Sequence, residues 1–353
     1  MNAEPGPPGG ERDGPEPTLV RIADVFLRDG LQALGRSPAA GRFPTSVKLE
    51  ILTALEAAGV PEIELTAFVH PKVIPLLGDA EELARLAMGV PRRATIRALV
   101  PNYHGAERAL GVGIPKLAAL VAASPTYQRL NSNMSVEDGL ENIARMARLG
   151  ERAGAEVVAS VAISFICPYE GIVPEARLLA VVKRLAQVGI KEVWLADSVG
   201  MAWPALVRAR LQALRASQPD LTFGLHLHSL AGLALANAVA ALEAGVRRFD
   251  GAVGGVGAGI AMPVESLELG NVATEDLNYT FIQNGWETGI DQEAVADLGA
   301  RVRELAGGGS SHAARFMSLE RFLEQSRSAL PALEANRPGR SGREFGEGRR
   351  DGG

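Results

Sequence analysis

The chain has 353 residues, enough for one large α/β domain or two ordinary ones, with 47% hydrophobic and 22% charged residues as in a soluble globule. A net charge of −5 and an aromatic content of 5% exclude a basic nucleic-acid platform. The single cysteine, Cys167, excludes an intramolecular disulfide framework and a multi-cysteine zinc site, and it suits a reducing, cytoplasmic setting.

Residues 1–17 are acidic and rich in Pro and Gly, with no apolar segment of the secretory kind, so they read as a disordered tail. From there, short apolar runs alternate with stretches of helical period. Strands are expected at Val20–Val25, Glu62–Ala67, Ala94–Val100, Lys116–Val121, Glu156–Phe165, Glu192–Ala196, Thr222–His228 and Arg247–Ala252. Helices lie between them, among others at Ser46–Ala58, Val136–Ala153, Glu175–Val188, Pro204–Ala216 and Leu233–Ala244. Gly59, Gly150, Gly189 and Gly245 suit left-handed C-terminal caps, each just before the next strand. Residues 221–242 contain no Asp, Glu, Lys or Arg, which on length alone would suit a membrane helix. Their polar residues and the change of period at the middle predict a buried strand running into a helix instead, so no membrane partner is expected.

Eight strand–helix units over residues 18–290 predict a (β/α)8 TIM barrel of class α/β. The strands are nearly continuous apolar runs, as expected when both faces are buried. A doubly wound open sheet is the alternative, but it would usually offer a Gly-rich phosphate loop after its first strand, and Leu27 to Gly30 is not one. Extra C-terminal helices are expected within 291–335, at Gln292–Ala306 and Phe316–Leu333, packed on the barrel or at a subunit contact. Residues 336–353 read as a second disordered tail.

Barrel sites lie at the C-terminal ends of the strands. Arg28 and Asp29 follow the first strand, Glu64 and Thr66 lie on the second, and Asn102 follows the third. Cys167 follows the fifth strand, and Asp197 and Ser198 end the sixth. His226 and His228, at spacing two on the seventh, point to one face and can share a metal ion. With no thiolate at hand, a His/carboxylate/amide-oxygen shell suits Mg²⁺ or Mn²⁺ better than zinc, and Asp29 can supply the carboxylate. An Asp before Gly30 can equally make a turn. Arg28 can stabilise an enolate oxygen as charge develops, and Glu64, a carboxylate inside an apolar strand, needs a partner for which Arg28 is the natural choice.

These residues carry a resemblance. The run Asp24–Gln32 (DVFLRDGLQ) resembles the opening motif of the HMG-CoA lyases, within the wider group of metal-dependent barrel lyases, aldolases and condensing enzymes. The likeness covers about residues 19–290. It includes Glu64–Lys72, Pro101–Asn102, Cys167–Gly171 (CPYEG), Asp197–Gly200 (DSVG), His226–His228, Ala234–Asn237 and Gly270–Asp276 (GNVATED). The resemblance implies metal ligands at Asp29, His226, His228 and Asn271, an enolate-stabilising Arg28, a supporting Glu64, a CoA-thioester substrate and a homodimer. It implies retro-aldol-type cleavage of a 3-hydroxyacyl-CoA, leaving an acetyl-CoA enolate.

There are three departures from the family, of which the altered loop and strand 5 push the substrate away from HMG-CoA itself. The family's catalytic cysteine in the glycine-rich loop after strand 8 falls at Gly259, in a loop that looks a few residues longer than in the family. An arginine and a tyrosine on strand 5 become Val158 and Ser160, and the acid after the second histidine is Ser229, which weakens support for the metal. Ser198, Ser229 or a water could supply the missing acid. A condensing enzyme of the same group, a catalytically weak ligand-binding relative, and an HMG-CoA lyase with a substitute acid are the alternatives.

Overall fold

The structure, a computed structural model, describes residues 19–35, 37–257 and 270–335. Eight parallel strands close into a barrel in which every strand pairs with its neighbours in sequence. They are β1 (Arg21–Asp24), β2 (Glu62–Ala67), β3 (Thr95–Val100), β4 (Lys116–Ala122), β5 (Glu156–Ala162), β6 (Glu192–Asp197), β7 (Thr222–Leu227) and β8 (Arg248–Gly251). β8 returns to β1 with Ile22 opposite Phe249 and Ala23 opposite Asp250, which completes the ring. A (β/α)8 barrel is therefore the observed fold. A two-stranded hairpin, Ile166–Cys167 with Gly171–Ile172, follows β5.

The outward residues of each strand make the main core. Ile22, Ile63, Leu65, Ile96, Leu117, Val161, Val193, Leu195, Leu225 and Phe249 are buried under the surrounding helices. The 221–242 segment divides as expected into β7 and the helix Ala234–Glu243. Among the described residues no helix is long and apolar enough to cross a membrane. Left-handed glycines end three helices before the next strand, at Gly59 (φ 88°), Gly189 (φ 92°) and Gly245 (φ 86°). Gly150 does not. The helix Val136–Ala153 continues past it to Gly154 (φ 70°), and Gly150 is the point where that helix passes over Val157, leaving no room for a β-carbon.

The inward face departs from the apolar expectation. Two residues along from apolar Ala118, Val158 and Trp194, the strands carry Lys116, Glu156 and Glu192; Glu62, Glu64, Arg97 and Asp250 lie beside them. Arg97 reaches Glu62 at 3.1 Å, Glu64 at 3.3 Å and Asp250 at 2.8 Å. Lys116 reaches Glu62 and Glu192 at 3.0 Å each. Arg97 also lies 4.8 Å over the Trp194 ring, whose indole N–H donates to Glu192 at 2.7 Å. The barrel is thus filled by alternating ion pairs where branched aliphatics are usual. A single inward charge between outward Ile and Leu barely alters an apolar run.

The C-terminal helices start and stop nearly as expected. Gln292–Ala306 is capped by Asp291, which accepts from the Glu293 and Ala294 amides, and it packs across the turn Val253–Gly255. The last helix begins at Leu319, three residues after the expected Phe316, because Ser318 caps it by accepting from the Arg321 amide. The two terminal tails expected from composition lie outside the described residues.

Candidate active site at the open end of the barrel

The chain leaves β1 through a single π-helical turn, Phe26–Gly30, rather than a β-turn. The Arg28 and Asp29 amides both donate to the Val25 carbonyl, at 3.2 and 2.7 Å, so two successive side chains project from one wound turn over the barrel mouth. A β-carbon on Gly30 would strike the Phe26 ring, which packs on Phe43 with centroids 5.7 Å apart. Asp24 anchors the turn by accepting from Phe26 N at 2.9 Å, Val253 N at 2.8 Å and Thr274 Oγ1 at 2.6 Å.

On the opposite side, β7 delivers His226 and His228. Asn271 lies beside them because the chain after Gly270 runs antiparallel to the end of β7, bridging His228 to Asn271. Val272 N donates to Leu227 O at 2.9 Å, and Ser229 N donates to Gly270 O at 3.0 Å. Gly257 closes the near side. A β-carbon there would overlap the Asn271 amide and crowd Asp29 Oδ2.

The ligand atoms of Asp29, His226 and His228 all lie within 4.8 Å of one another. His226 Nε2 and His228 Nε2 face each other at 3.1 Å, and Asp29 Oδ2 is 3.9 and 4.0 Å from them. The Asn271 amide donates to Asp29 Oδ2 at 2.7 Å, while its Oδ1 is buried with no partner. Two imidazole nitrogens aimed at one point, a carboxylate oxygen and an unclaimed amide oxygen form a donor set that a divalent cation fits. The four expected ligands are brought together.

The electrostatics favour that reading. Burial pushes the His228 imidazole down to about 3, helped by neighbouring His226, so it is neutral and its lone pair is free near neutral pH. Burial would raise the Asp29 carboxyl, but Arg28, the two imidazoles and the Asn271 amide outweigh it and hold it ionised. Arg28 Nε donates to Glu64 Oε2 at 2.5 Å, and its Nη1 donates to Asp29. The expected Arg28–Glu64 pair is therefore present, and Glu64 also faces Arg97.

Two residues of this site were not singled out in the sequence. Asp250 Oδ2 lies 3.1 Å from His226 Nδ1, which fixes the ring so that Nε2 faces the cluster. Arg97 holds the other Asp250 oxygen, and its charge outweighs burial to keep that carboxyl ionised. The support that the Ser229 departure removes is thus supplied to His226 by β8, whereas His228 Nδ1 has no side-chain partner. An acid two residues along from Arg248 on an inward face is the signal that could have pointed to Asp250.

Other expected positions lie outside the ligand cluster itself. Ser198 Oγ accepts from the Ile163 amide at 3.0 Å, which steadies the left-handed backbone of Ile163 (φ 57°). Asp197 accepts from Ala202 N at 3.0 Å, and burial raises its carboxyl to about 6. Asn102 caps the helix Tyr103–Gly111. Cys167 is buried, hydrogen-bonded to Ser124 Oγ at 3.1 Å and accepting from the Tyr169 amide at 3.4 Å. Gly259, where the family's cysteine would fall, lies outside the described residues.

Residues 19–302 match the HMGL-like family. The chain is 37% identical over 295 residues to hydroxymethylglutaryl-CoA lyase YngG of Bacillus subtilis, covering 83% of this chain and 95% of that one. It is 34% identical over 285 residues to (R)-citramalyl-CoA lyase of Chloroflexus aurantiacus, covering 78% and 87%. An HMG-CoA lyase from Acinetobacter baumannii, solved with coenzyme A and 3-methylmalate, superposes with a TM-score of 0.77 at 31% identity over 86% of this chain and 96% of that one. The chain belongs to the HMGL-like family and is one of its carbon–carbon lyases.

Proposed function

We propose that this protein cleaves the C2–C3 bond of a 3-hydroxyacyl-CoA other than HMG-CoA, with a bound divalent ion. The observation that carries the reading is the convergence of Asp29, His226, His228 and Asn271 beside a half-buried, carboxylate-fixed Arg28. Mg²⁺ or Mn²⁺ held by those four residues would polarise the substrate's oxygens and lower the pKa of its hydroxyl. Two similar lyases act on different CoA thioesters by name, and a similar structure holds coenzyme A, which supports a CoA-thioester substrate.

The chain's own residues then account for the charge. A base takes the hydroxyl proton, the C2–C3 electron pair moves to the thioester fragment as an enolate, and C3 becomes a carbonyl. Arg28 is already locked by Glu64 and Asp29, so its guanidinium meets the developing enolate without reorganising. A proton must then return to C2. Ser198 spends a lone pair on Ile163 N and keeps its own proton to give, which makes it the chain's candidate donor in place of the family's cysteine. A cytoplasmic homodimer completes the proposal, supported by a cysteine content that allows no intramolecular disulfide and by exposed Leu319, Phe322 and Leu323 on the last helix.

The test is acetyl-CoA release from a panel of 3-hydroxyacyl-CoA thioesters including HMG-CoA, with Mn²⁺ present and His226→Ala as the blank. The expected result is Mn²⁺-dependent release from a thioester other than HMG-CoA, absent in the blank. Release unaffected by His226→Ala would contradict the reading.

A further inference from the structure

The inner wall of β4, β5 and β6 beside the metal residues has a character of its own. Ala118, Val158 and Trp194 meet inside the barrel as a cluster separate from the main core. By strand alternation, Leu120 and Ala122, Ser160 and Ala162, and Ala196 face inward above them, nearer the mouth. The registers set Leu120 beside Ser160 and Ser160 beside Trp194. They set Ala122 beside Ala162 and Ala196 beside His226. Leu120 and Ser160 remain partly accessible although they lie a layer below the alanines, so the alanines leave the space above them open.

Among the described residues, the cations named above at and below this wall are already paired with carboxylates. The Trp194 N–H is given to Glu192. Arg97 and Lys116, deeper in the barrel, are matched by Glu62, Glu64, Asp250 and Glu192. Arg28 is matched by Glu64 and Asp29. The sequence of residues 258–269 (AGIAMPVESLEL), which lie outside the described residues, contains no Lys, Arg or His.

We infer that this wall receives the part of the acyl group beyond C3, and that the substrate is a 3-hydroxyacyl-CoA with an alkyl tail and no second carboxylate. The inference rests on the lyase reading above for the nature of the thioester. An alkyl tail gains from each methylene it buries on Leu120 and the alanines, whereas a carboxylate would surrender its hydration for one serine hydroxyl. The products would be acetyl-CoA and an alkyl aldehyde or ketone, with the hydroxyl proton lost and one proton returned to C2.

Equilibrium binding separates this inference from the lyase reading, because it needs no turnover. Pentanoyl-CoA and glutaryl-CoA have the same chain length and differ in a terminal methyl against a carboxylate. Titrated calorimetrically into the Mn²⁺-loaded protein, pentanoyl-CoA is expected to bind about tenfold more tightly or better. Ala162→Leu, which fills the space over Ser160, is expected to weaken pentanoyl-CoA about tenfold while Mn²⁺ binding persists. Equal or tighter binding of glutaryl-CoA overturns the inference and leaves the lyase reading standing. An Ala162→Leu protein that binds Mn²⁺ and pentanoyl-CoA as before overturns it as well, and failure to bind either thioester overturns both readings.

Discussion

His226 and His228 were legible from spacing alone, because strand alternation forces residues two apart onto one face. Arg28 and Glu64 were legible for a different reason: a carboxylate inside an apolar strand must find a partner, and the structure supplies it at 2.5 Å. Asp250 was not, since an Asp just before a Gly at a strand end reads as a turn residue. Its contact with His226 Nδ1 gives it a measurable role. Asp250→Asn keeps the shape but offers the imidazole a weaker partner, so Mn²⁺ affinity is expected to fall about 10–100-fold with the fold intact. Calorimetric titration checks this, and unchanged affinity would remove Asp250 from the account.

At the scale of elements, strand and helix positions followed from period and punctuation, while the local windings did not. No composition signal distinguishes the π turn Phe26–Gly30 from an ordinary one, because its cause is tertiary: the carboxylate of Asp24 and the seat of Phe26 against Phe43. The helix Thr274–Gln283 illustrates a second such coupling. Its Glu275 is buried where the helix Gln292–Ala306 passes at Gly299, and it accepts from the Gly254 amide at 3.0 Å. Burial raises this carboxyl to about 8 from an ordinary 4.5, with neighbouring Asp276 adding to the rise. Between those values the folded chain holds a proton that the unfolded chain has released. The linked stability therefore falls as pH rises through this window and levels off above it. Thermal unfolding from about pH 5 to about pH 8 is expected to show that fall in the natural protein and lose it in Glu275→Gln. An identical pH profile in both would contradict the assignment.

For the molecule as a whole, eight strand–helix repeats sufficed to fix a barrel, and its core on the helix side is the apolar one expected. The interior is where the reading fell short. Scattered Glu, Arg and Lys at alternate positions look like noise in single strands and become a matched lattice only when the sheet closes and brings Arg97 on β3 to Asp250 on β8. Such a lattice is costly to break from one side, since removing a cation leaves its acids buried and unpaired. Arg97→Met is expected to destabilise the fold by about 3–5 kcal/mol in urea unfolding, far more than a surface arginine would. A loss under about 1 kcal/mol would mean the lattice relaxes or hydrates easily.

All of this converges on one claim, that the barrel's open end is a divalent-metal centre. Titration of Mn²⁺ into the metal-stripped protein, followed by the electron paramagnetic resonance of the free ion, tests it most directly. The account predicts one tight site per chain that disappears in both Asp29→Ala and His228→Ala. A natural protein that leaves all Mn²⁺ free, or variants that bind it as well as the natural chain, would contradict it.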